Sequence, residues 1–330
     1  MSICYRYERN CDMKYIYALR AAIEDLIKDK NAYVIGEDVM EPYGGAFKVT
    51  KGLSEKYPDN IVGVPMSEQG FTALCVGMAL MGEFVIEEIM FGDFITLTTD
   101  QLINHAAKFY ELYGQKQHLV VRTPSGAYRG YGATHSQSLE KIFLGVPGLR
   151  VVAANIYCDV GELLKEAISV GKPTLFIENK LDYPKELVLN DFDFFERRQQ
   201  GEKVKISIKG ELPECTIISY GGIASMVVET ARKLMLEDEI TVDVVLISYL
   251  TDWSDDWADI ISTDNVVIVE EGTGEYGVSS QIAYELGKLH KKTLIVTSED
   301  YVIPSAQQAE NEVLVQIEDI HRAVIDLVES

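Results

Sequence analysis

The feature that most constrains this chain is a repeated alternation of short, continuously apolar segments with amphipathic ones. The runs YVIG (33–36) and NVVIVEE (265–271) are apolar at consecutive positions. Between such runs, residues 15–28 place apolar side chains on one helical stripe, at Ile16, Leu19, Ile23, Leu26 and Ile27. Strands without polar alternation are buried on both faces, so the pattern predicts parallel sheets covered by helices on each side.

The alternation falls into two blocks, which predicts two doubly wound α/β domains. A length of 330 residues is sufficient for two domains. We predict a first domain at residues 13–190 and a second at 206–330, joined by a linker at 191–205, where no clear period is present. The predicted strands are 33–36, 61–65, 83–89, 118–124, 149–154, 174–179, 215–221, 242–248, 265–271 and 293–298, and the predicted helices are 15–28, 69–80, 95–112, 160–170, 225–236, 278–289 and 312–328.

Charge and cysteine content exclude several classes of protein. A net charge of −22 argues against nucleic acid or an anionic membrane as a partner. No apolar run reaches the roughly 18 residues that span a bilayer. Residues 1–12 resemble neither a signal peptide nor a transit peptide, which predicts a cytoplasmic location. The cysteines are odd in number and form no CxxC pair, so disulfides and zinc sites are not expected at Cys4, Cys11, Cys75, Cys158 or Cys215.

Several common catalytic motifs are absent from the sequence. It contains no GxxxxGK[ST], no HExxH and no GxSxG. No two histidines have metal-ligand spacing, so no metal ligand is predicted. The kinase, hydrolase and metalloprotease classes therefore have no support.

A dinucleotide-binding pattern does occur, as GTGEYG (272–277). It follows a predicted strand, opens a predicted helix and is followed about 20 residues later by Glu299. We discount it because Glu270, Glu271 and Glu275 crowd the place where a pyrophosphate would lie. A plain strand-to-helix turn is the favoured interpretation, and a nicotinamide dehydrogenase is the alternative.

Ligands in such folds bind at the carboxyl ends of strands, which directs attention to PMSEQG (65–70), MFGDF (90–94) and the loop 125–138. Glu68 lies at the start of a predicted helix. An acid there interacts favourably with the helix dipole, which is the common case. The alternative is a carboxyl group that faces a crevice and, among apolar neighbours such as Phe71, holds its proton more readily.

Two further candidates lie at the other strand ends. His135 is in a glycine-rich loop, where a histidine is either incidental or placed for proton transfer. Phe91 and Phe94 bracket Gly92 and Asp93. They suit either core packing, with Asp93 as a helix N-cap, or stacking on a flat heterocycle.

Eight motifs follow one another along the chain: GEDV, GGAFKVTKGL, VPMSEQGFTALCVGMAL, EEIMFGDF, DQLINHAAK, THSQSLE, VPGLRVV and VEEG. In this order they resemble the beta subunit of thiamine-diphosphate-dependent 2-oxoacid dehydrogenases, the group of the pyruvate, branched-chain 2-oxoacid and acetoin enzymes. The resemblance runs from about residue 13 to 179 with high specificity and is weaker from 215 onward. It implies a transketolase-like pyrimidine-binding domain, a transketolase C-terminal-like domain and oxidoreductase activity.

The resemblance also implies residue roles. Glu68 would hydrogen-bond N1′ of the thiamine pyrimidine, where a proton-sharing carboxyl group favours the imino form that activates the thiazolium ring. Phe94 would stack on the aminopyrimidine, and Met66 and Met90 would line the same pocket. His135 would lie by the reacting carbon and handle protons during acyl transfer to lipoyl.

The family binds the cofactor diphosphate and Mg²⁺ through a GDG motif on its alpha subunit, and this chain contains no GDG. The resemblance therefore implies an alpha₂beta₂ heterotetramer with a beta–beta contact and an active site between chains. A lipoyl acyltransferase would be the further partner. A potassium ion held by main-chain carbonyls of the first domain is a weaker implication.

One segment departs from the family pattern. LISYLTDWSDD (246–256) stands where the family has a DLRTLxPLD segment, which lies near the site where the lipoyl partner docks. Two alternatives therefore remain. One is a split transketolase-like or acyloin-forming enzyme that passes the carbanion to an aldehyde. The other is a paralogue that assembles without catalysing, which retention of Glu68, Phe94 and His135 disfavours.

Overall fold

The first half of the chain forms a parallel six-stranded sheet. The computed structural model describes residues 13–254 and 256–330, so Cys4 and Cys11 lie outside the described residues. The strand order is β2-β1-β3-β4-β6-β5, and every neighbouring pair is parallel. The strands are β1 (Tyr33–Gly36), β2 (Ile61–Gly63), β3 (Phe84–Glu88), β4 (His118–Ser125), β5 (Arg150–Ala153) and β6 (Thr174–Asn179).

Helices cover both faces of this sheet. The helix after β2 carries a buried stripe that includes Phe71 and Cys75, as an amphipathic pattern requires. The α-helices are α1 (Tyr15–Lys30), α2 (Leu53–Lys56), α3 (Glu68–Leu80), α4 (Ala107–Tyr113) and α5 (Val160–Ser169). The helix predicted at 95–112 begins as a 3₁₀ segment, Gly92–Thr98, and continues as a π-helical segment, Gln101–Ala106, before α4.

The second half builds another six-stranded sheet, ordered β12-β11-β9-β10-β8-β7. Its strands are β7 (Phe195–Gln200), β8 (Lys203–Ile208), β9 (Cys215–Tyr220), β10 (Val242–Ile247), β11 (Asn265–Thr273) and β12 (Lys292–Ser298). Its α-helices are α6 (Ala224–Glu237), α7 (Trp257–Ile260), α8 (Val278–Lys288), α9 (Gln307–Val313) and α10 (Ile317–Val328). The predicted class of two mainly parallel α/β sheets is confirmed.

The predicted linker at 191–205 is wrong over residues 195–205. These residues form β7 and the start of β8, an antiparallel hairpin that joins the second sheet through β10. β7 is an edge strand whose last three residues are exposed, so its charged and polar run has no buried period to detect. The division into domains at 13–190 and 206–330 stays a prediction.

The predicted terminal helix at 312–328 is also divided. α9 ends at Val313, and Leu314 and Val315 are buried between α9 and α10. A capping box between Gln316 and Asp319 then starts α10, which satisfies free N–H groups of the new helix.

The two sheets are joined by backbone hydrogen bonds as well as by apolar contact. The edge strand β5 pairs with the segment that follows β10: Ala153 donates its N–H to the Ser248 carbonyl at 2.8 Å. Leu250 donates to the Val151 carbonyl at 2.9 Å. Within the described ranges, no helix combines the length and apolar character that a bilayer crossing requires.

Candidate active site

Glu68 is the first residue of α3, and residues 64–67 connect it to the end of β2. It is partly exposed, and its carboxylate accepts no hydrogen bond from the described residues. Phe71 is buried, but Met66 is 84% exposed, so the apolar enclosure expected around this carboxyl group is incomplete in the single chain. A carboxylate without an internal donor is available to a group from outside the chain.

Glu37, which the sequence reasoning missed, lies at the end of the neighbouring strand β1. It is 9% exposed, and one of its carboxylate oxygens is buried with no hydrogen-bond partner in the described part of the chain. Burial, and after it the negative charge of Glu68, raise the pKa of Glu37. Two acids therefore meet at this strand end. The available signal was the position of Glu37 in GEDV, directly after a predicted strand.

An aromatic cluster forms where β3 ends, and it brings Phe94 and His135 together. The His135 ring centroid lies 4.7 Å from that of Phe91 and 5.3 Å from that of Phe94, both edge to face. Phe91 and Phe94 are themselves 6.0 Å apart. Met90, at the same strand end, is partly buried. Edge-to-face contacts orient rings, so the cluster restrains the imidazole.

Asp93 holds the His135 loop against this cluster. Its carboxylate accepts a hydrogen bond from the Gln137 side chain at 2.8 Å and from the Gln137 N–H at 3.3 Å. The interpretation of Asp93 as a helix N-cap is wrong, because Phe91 is the N-cap and no side chain caps this turn. Its role is to fix a loop rather than to start a helix.

Lys180, also missed from the sequence, joins both ends of the glycine-rich loop. It is fully buried at the end of β6, and its ammonium group donates to the Gly126 carbonyl at 2.7 Å and to the His135 carbonyl at 2.5 Å. Burial lowers the pKa of Lys180 to about 8. A lysine is usually exposed, so no local pattern indicated this position.

A network of buried, charged side chains connects the strands that carry the site. Arg122 on β4 makes two hydrogen bonds to Glu178, at 2.7 and 2.6 Å, and a third to Glu88. Tyr183 donates to Glu178 at 2.6 Å. Because these groups tie β3, β4 and β6 together, the strand ends that carry the site are held in register.

The GTGEYG turn binds an internal carboxylate. Glu270 accepts hydrogen bonds from the N–H groups of Ser279, at 2.9 Å, and Val278, at 3.3 Å, at the start of α8. A Cβ at Gly277 would lie only 2.4 Å from Glu270. The helix terminus where a pyrophosphate would bind is therefore filled, which supports the plain strand-to-helix turn.

The chain matches two family models. Residues 12–186 match the transketolase pyrimidine binding domain, and residues 204–320 match the transketolase C-terminal domain. One solved structure with the same fold is described as split gene transketolase, an inactive beta4 tetramer. Its TM-score is 0.72 at 18% identity, over 94% of this chain and 97% of that one.

Curated relatives extend along nearly the whole chain. The pyruvate dehydrogenase E1 component subunit beta of Cyanidium caldarium is 32% identical, over 96% of this chain and 98% of the relative. The mitochondrial subunit beta-1 of Arabidopsis thaliana is 34% identical, over 93% and 86%. The human mitochondrial subunit beta is 32% identical, over 91% and 86%.

Proposed function

Because this chain belongs to the family of pyruvate dehydrogenase-type E1 beta subunits, with transketolase-like domains, we propose that it decarboxylates a 2-oxoacid with thiamine diphosphate and passes the acyl group to lipoyl. The observation that carries the proposal is the Glu68 carboxylate. It is partly exposed at the carboxyl edge of the first sheet and has no hydrogen-bond donor among the described residues.

The residues at this edge fit the pyrimidine end of thiamine diphosphate. Glu68 would accept the hydrogen bond of N1′, Phe94 offers an aromatic face, and Met66 and Met90 would line the pocket. When bound, thiamine diphosphate supplies the carbanion chemistry that releases CO₂ from a 2-oxoacid. Burial and the neighbouring Glu68 carboxylate raise the pKa of Glu37, which favours the protonated form of Glu37 beside Glu68.

His135 is the group that would move protons at the reacting carbon. Its Nδ1 lies 3.1 Å from the Thr134 hydroxyl. Its Nε2 has no partner among the described residues, so it is available to a substrate. The Phe91 and Phe94 rings both contact the imidazole edge to face and restrain it. A histidine whose ring is held and whose second nitrogen is free suits general acid–base catalysis.

The site would be completed by other chains. The 84% exposure of Met66 beside Glu68 supports an interface at this point. We place an alpha subunit there, in an alpha₂beta₂ assembly with a beta–beta contact, where the alpha subunit holds the diphosphate and Mg²⁺. A lipoyl acyltransferase and a structural potassium ion remain predictions. The cytoplasmic location also remains a prediction, because the Arabidopsis thaliana and human relatives are mitochondrial by name.

The first experiment is purification of the tagged chain from its native host, with mass spectrometry of the proteins that accompany it. We expect a companion subunit with a GDG motif and a lipoyl acyltransferase. The recovered complex should bind thiamine diphosphate and release CO₂ from a 2-oxoacid. Recovery of the chain only with itself, without thiamine binding, would instead support the non-catalytic paralogue.

The same complex tests the acyloin-forming alternative. Trp253, in the segment that replaces the family pattern, is held by internal contacts: its indole donates to the Tyr249 carbonyl at 2.6 Å and contacts Trp257 edge to face at 5.7 Å. Turnover with an aldehyde acceptor and none with lipoyl would favour the alternative.

A further inference from the structure

Two backbone N–H groups at the tip of the glycine-rich loop are held by an acid from the far end of the chain. The Glu310 carboxylate on α9 accepts from the Tyr128 N–H at 3.1 Å and from the Gly130 N–H at 2.7 Å. Both residues have left-handed backbone angles, with φ of 65° and 67°. The two N–H groups flank Arg129, so Glu310 fixes the backbone on each side of it.

The rest of the loop tip is restrained as firmly. The Glu271 carboxylate accepts from the Ala127 N–H at 2.7 Å. A Cβ at Gly132 would lie 2.4 Å from the Ser305 hydroxyl, so the loop and the segment before α9 are in close contact. Arg129 is therefore presented from a rigid support, although its own side chain is exposed.

The Arg129 guanidinium lies over two rings, Tyr131 and Phe47. Its central carbon is 5.1 Å from the Tyr131 ring centroid and 5.9 Å from that of Phe47. Phe47 contacts Phe91, a neighbour of His135, at 5.7 Å. Arg129 makes no ion pair with the described residues, and its one hydrogen bond, to the Lys180 carbonyl, is long at 3.4 Å.

A second cation, Lys180, lies over one of the same rings, Tyr131. The Lys180 ammonium is 5.5 Å from the Phe91 centroid and 5.9 Å from that of Tyr131. The acids that act on it are Asp93, Glu271 and Glu310. Each already accepts hydrogen bonds from the loop. Neither cation has an ion-pair partner among the described residues, and both lie over the Tyr131 ring.

We propose that Arg129 binds the carboxylate of the 2-oxoacid substrate, with Lys180 as a buried positive charge behind it. The assignment rests on the proposed function. A chain of net charge −22 repels an anionic substrate, so a local cation is needed to retain it. A guanidinium can pair with a carboxylate through two parallel hydrogen bonds, and the planar group can stack on aromatic rings while it does so.

The pairing has a kinetic signature. The substrate carboxylate leaves as neutral CO₂, so its interaction with Arg129 is present in the bound substrate and weakens as the bond breaks. Loss of such an interaction raises KM and leaves kcat unchanged or higher. A group that acted on the transition state would instead lower kcat.

The test compares three variants in the assembled complex: Arg129→Gln, Arg129→Lys and the control Arg232→Gln. Arg232, on α6, also lies over aromatic rings, at 5.5 and 5.8 Å, but it pairs with Asp193. The substrates are pyruvate and 3-methyl-2-oxobutanoate. We expect Arg129→Gln to raise KM about 10- to 100-fold, since a hydrogen bond to a charged group contributes about 1.5–3 kcal/mol. Arg129→Lys should recover part of this effect.

Titration with thiamine diphosphate, followed by fluorescence, supplies a readout besides activity. Its affinity should be the same in all variants. An unchanged KM in Arg129→Gln would overturn the assignment while leaving the proposed function intact. So would weakened assembly with the alpha subunit at normal KM, because Arg129 would then pair with an acid of that subunit. A wild-type complex that decarboxylates neither substrate would overturn both.

A positioning role for Glu310 follows from the same contacts. Glu310→Gln should raise KM less than Arg129→Gln and should add nothing to it in the double variant, because both changes act through one interaction. Additive effects would contradict this coupling.

Discussion

The two sheets each have an acid at a strand-to-helix junction, and the two acids are used differently. In the second sheet, Glu270 at the end of β11 accepts hydrogen bonds from the first N–H groups of α8. In the first sheet, Glu68 begins α3 and accepts none from the described residues. Similar topology thus yields one closed junction and one open junction. A polar group that lacks an internal partner therefore indicates a candidate site, whereas the topology around it does not, since both junctions share it.

The largest expected effect is at the open junction. Glu68→Gln should lower decarboxylation by roughly 10²–10⁴-fold, because an amide cannot share a proton with the pyrimidine nitrogen. Its free energy of unfolding should change by less than about 0.5 kcal/mol, as for a surface substitution. Near-normal turnover in the assembled complex would refute the assigned role.

The next effect concerns His135, which contacts Phe91 and Phe94. His135→Ala should slow acyl transfer to lipoyl about 10²-fold while the affinity for thiamine diphosphate is retained, because the imidazole moves protons rather than holding the cofactor. Single-turnover transfer and cofactor titration separate the two. An equal loss of cofactor affinity would contradict this division.

The closed junction should respond in stability instead. Glu270→Ala removes the acceptor of two helix N–H groups. It also removes one of the two acceptors near the Tyr220 hydroxyl, at 3.0 Å, and leaves the other, Glu140, at 2.9 Å. We expect the free energy of unfolding, measured with urea, to fall by about 1–3 kcal/mol. Glu68→Ala is the matched control and should change it little. Equal destabilisation by both would remove the distinction between the junctions.

The smallest expected effect is a pH dependence of stability that comes from Glu87 in the first sheet. Glu87 on β3 is fully buried, and burial raises its pKa to about 8, against the hydrogen bond from Thr72 at 2.5 Å. The folded state therefore binds this proton more tightly than the unfolded state. Stability falls as the pH rises from the unfolded value toward about 8 and levels off above it.

Between pH 7 and pH 8 this contribution amounts to about 1 kcal/mol. Glu87→Gln, which is neutral at every pH, should lose less stability than wild type over that interval in urea titrations. Parallel pH profiles for the two proteins would show that Glu87 is not the group responsible.

Much of the fold could be predicted because the relevant signal is local. Strand β6 was predicted at its observed bounds, and α3 within one residue. A strand buried on both faces and a helix buried on one face each have a hydrophobic period that is visible in residues close together in the sequence. The β7–β8 hairpin was missed for the converse reason. Its exposed edge has no apolar period, and its pairing with β10 depends on residues about 40 positions away.

The candidate site divides in the same way. That Glu68, Phe94 and His135 follow strand ends could be predicted from sequence, because parallel strands bring their carboxyl ends to one edge. Which charges are satisfied depends on the folded arrangement. It buries Lys180 and places Glu310 against a loop about 180 residues earlier. Among the described residues, it gives Arg129 and Glu68 no ion-pair partner. Hydrophobic period is a property of neighbours along the chain. The partner of a charge depends on which distant segments fold beside it, and that is a property of the assembled structure.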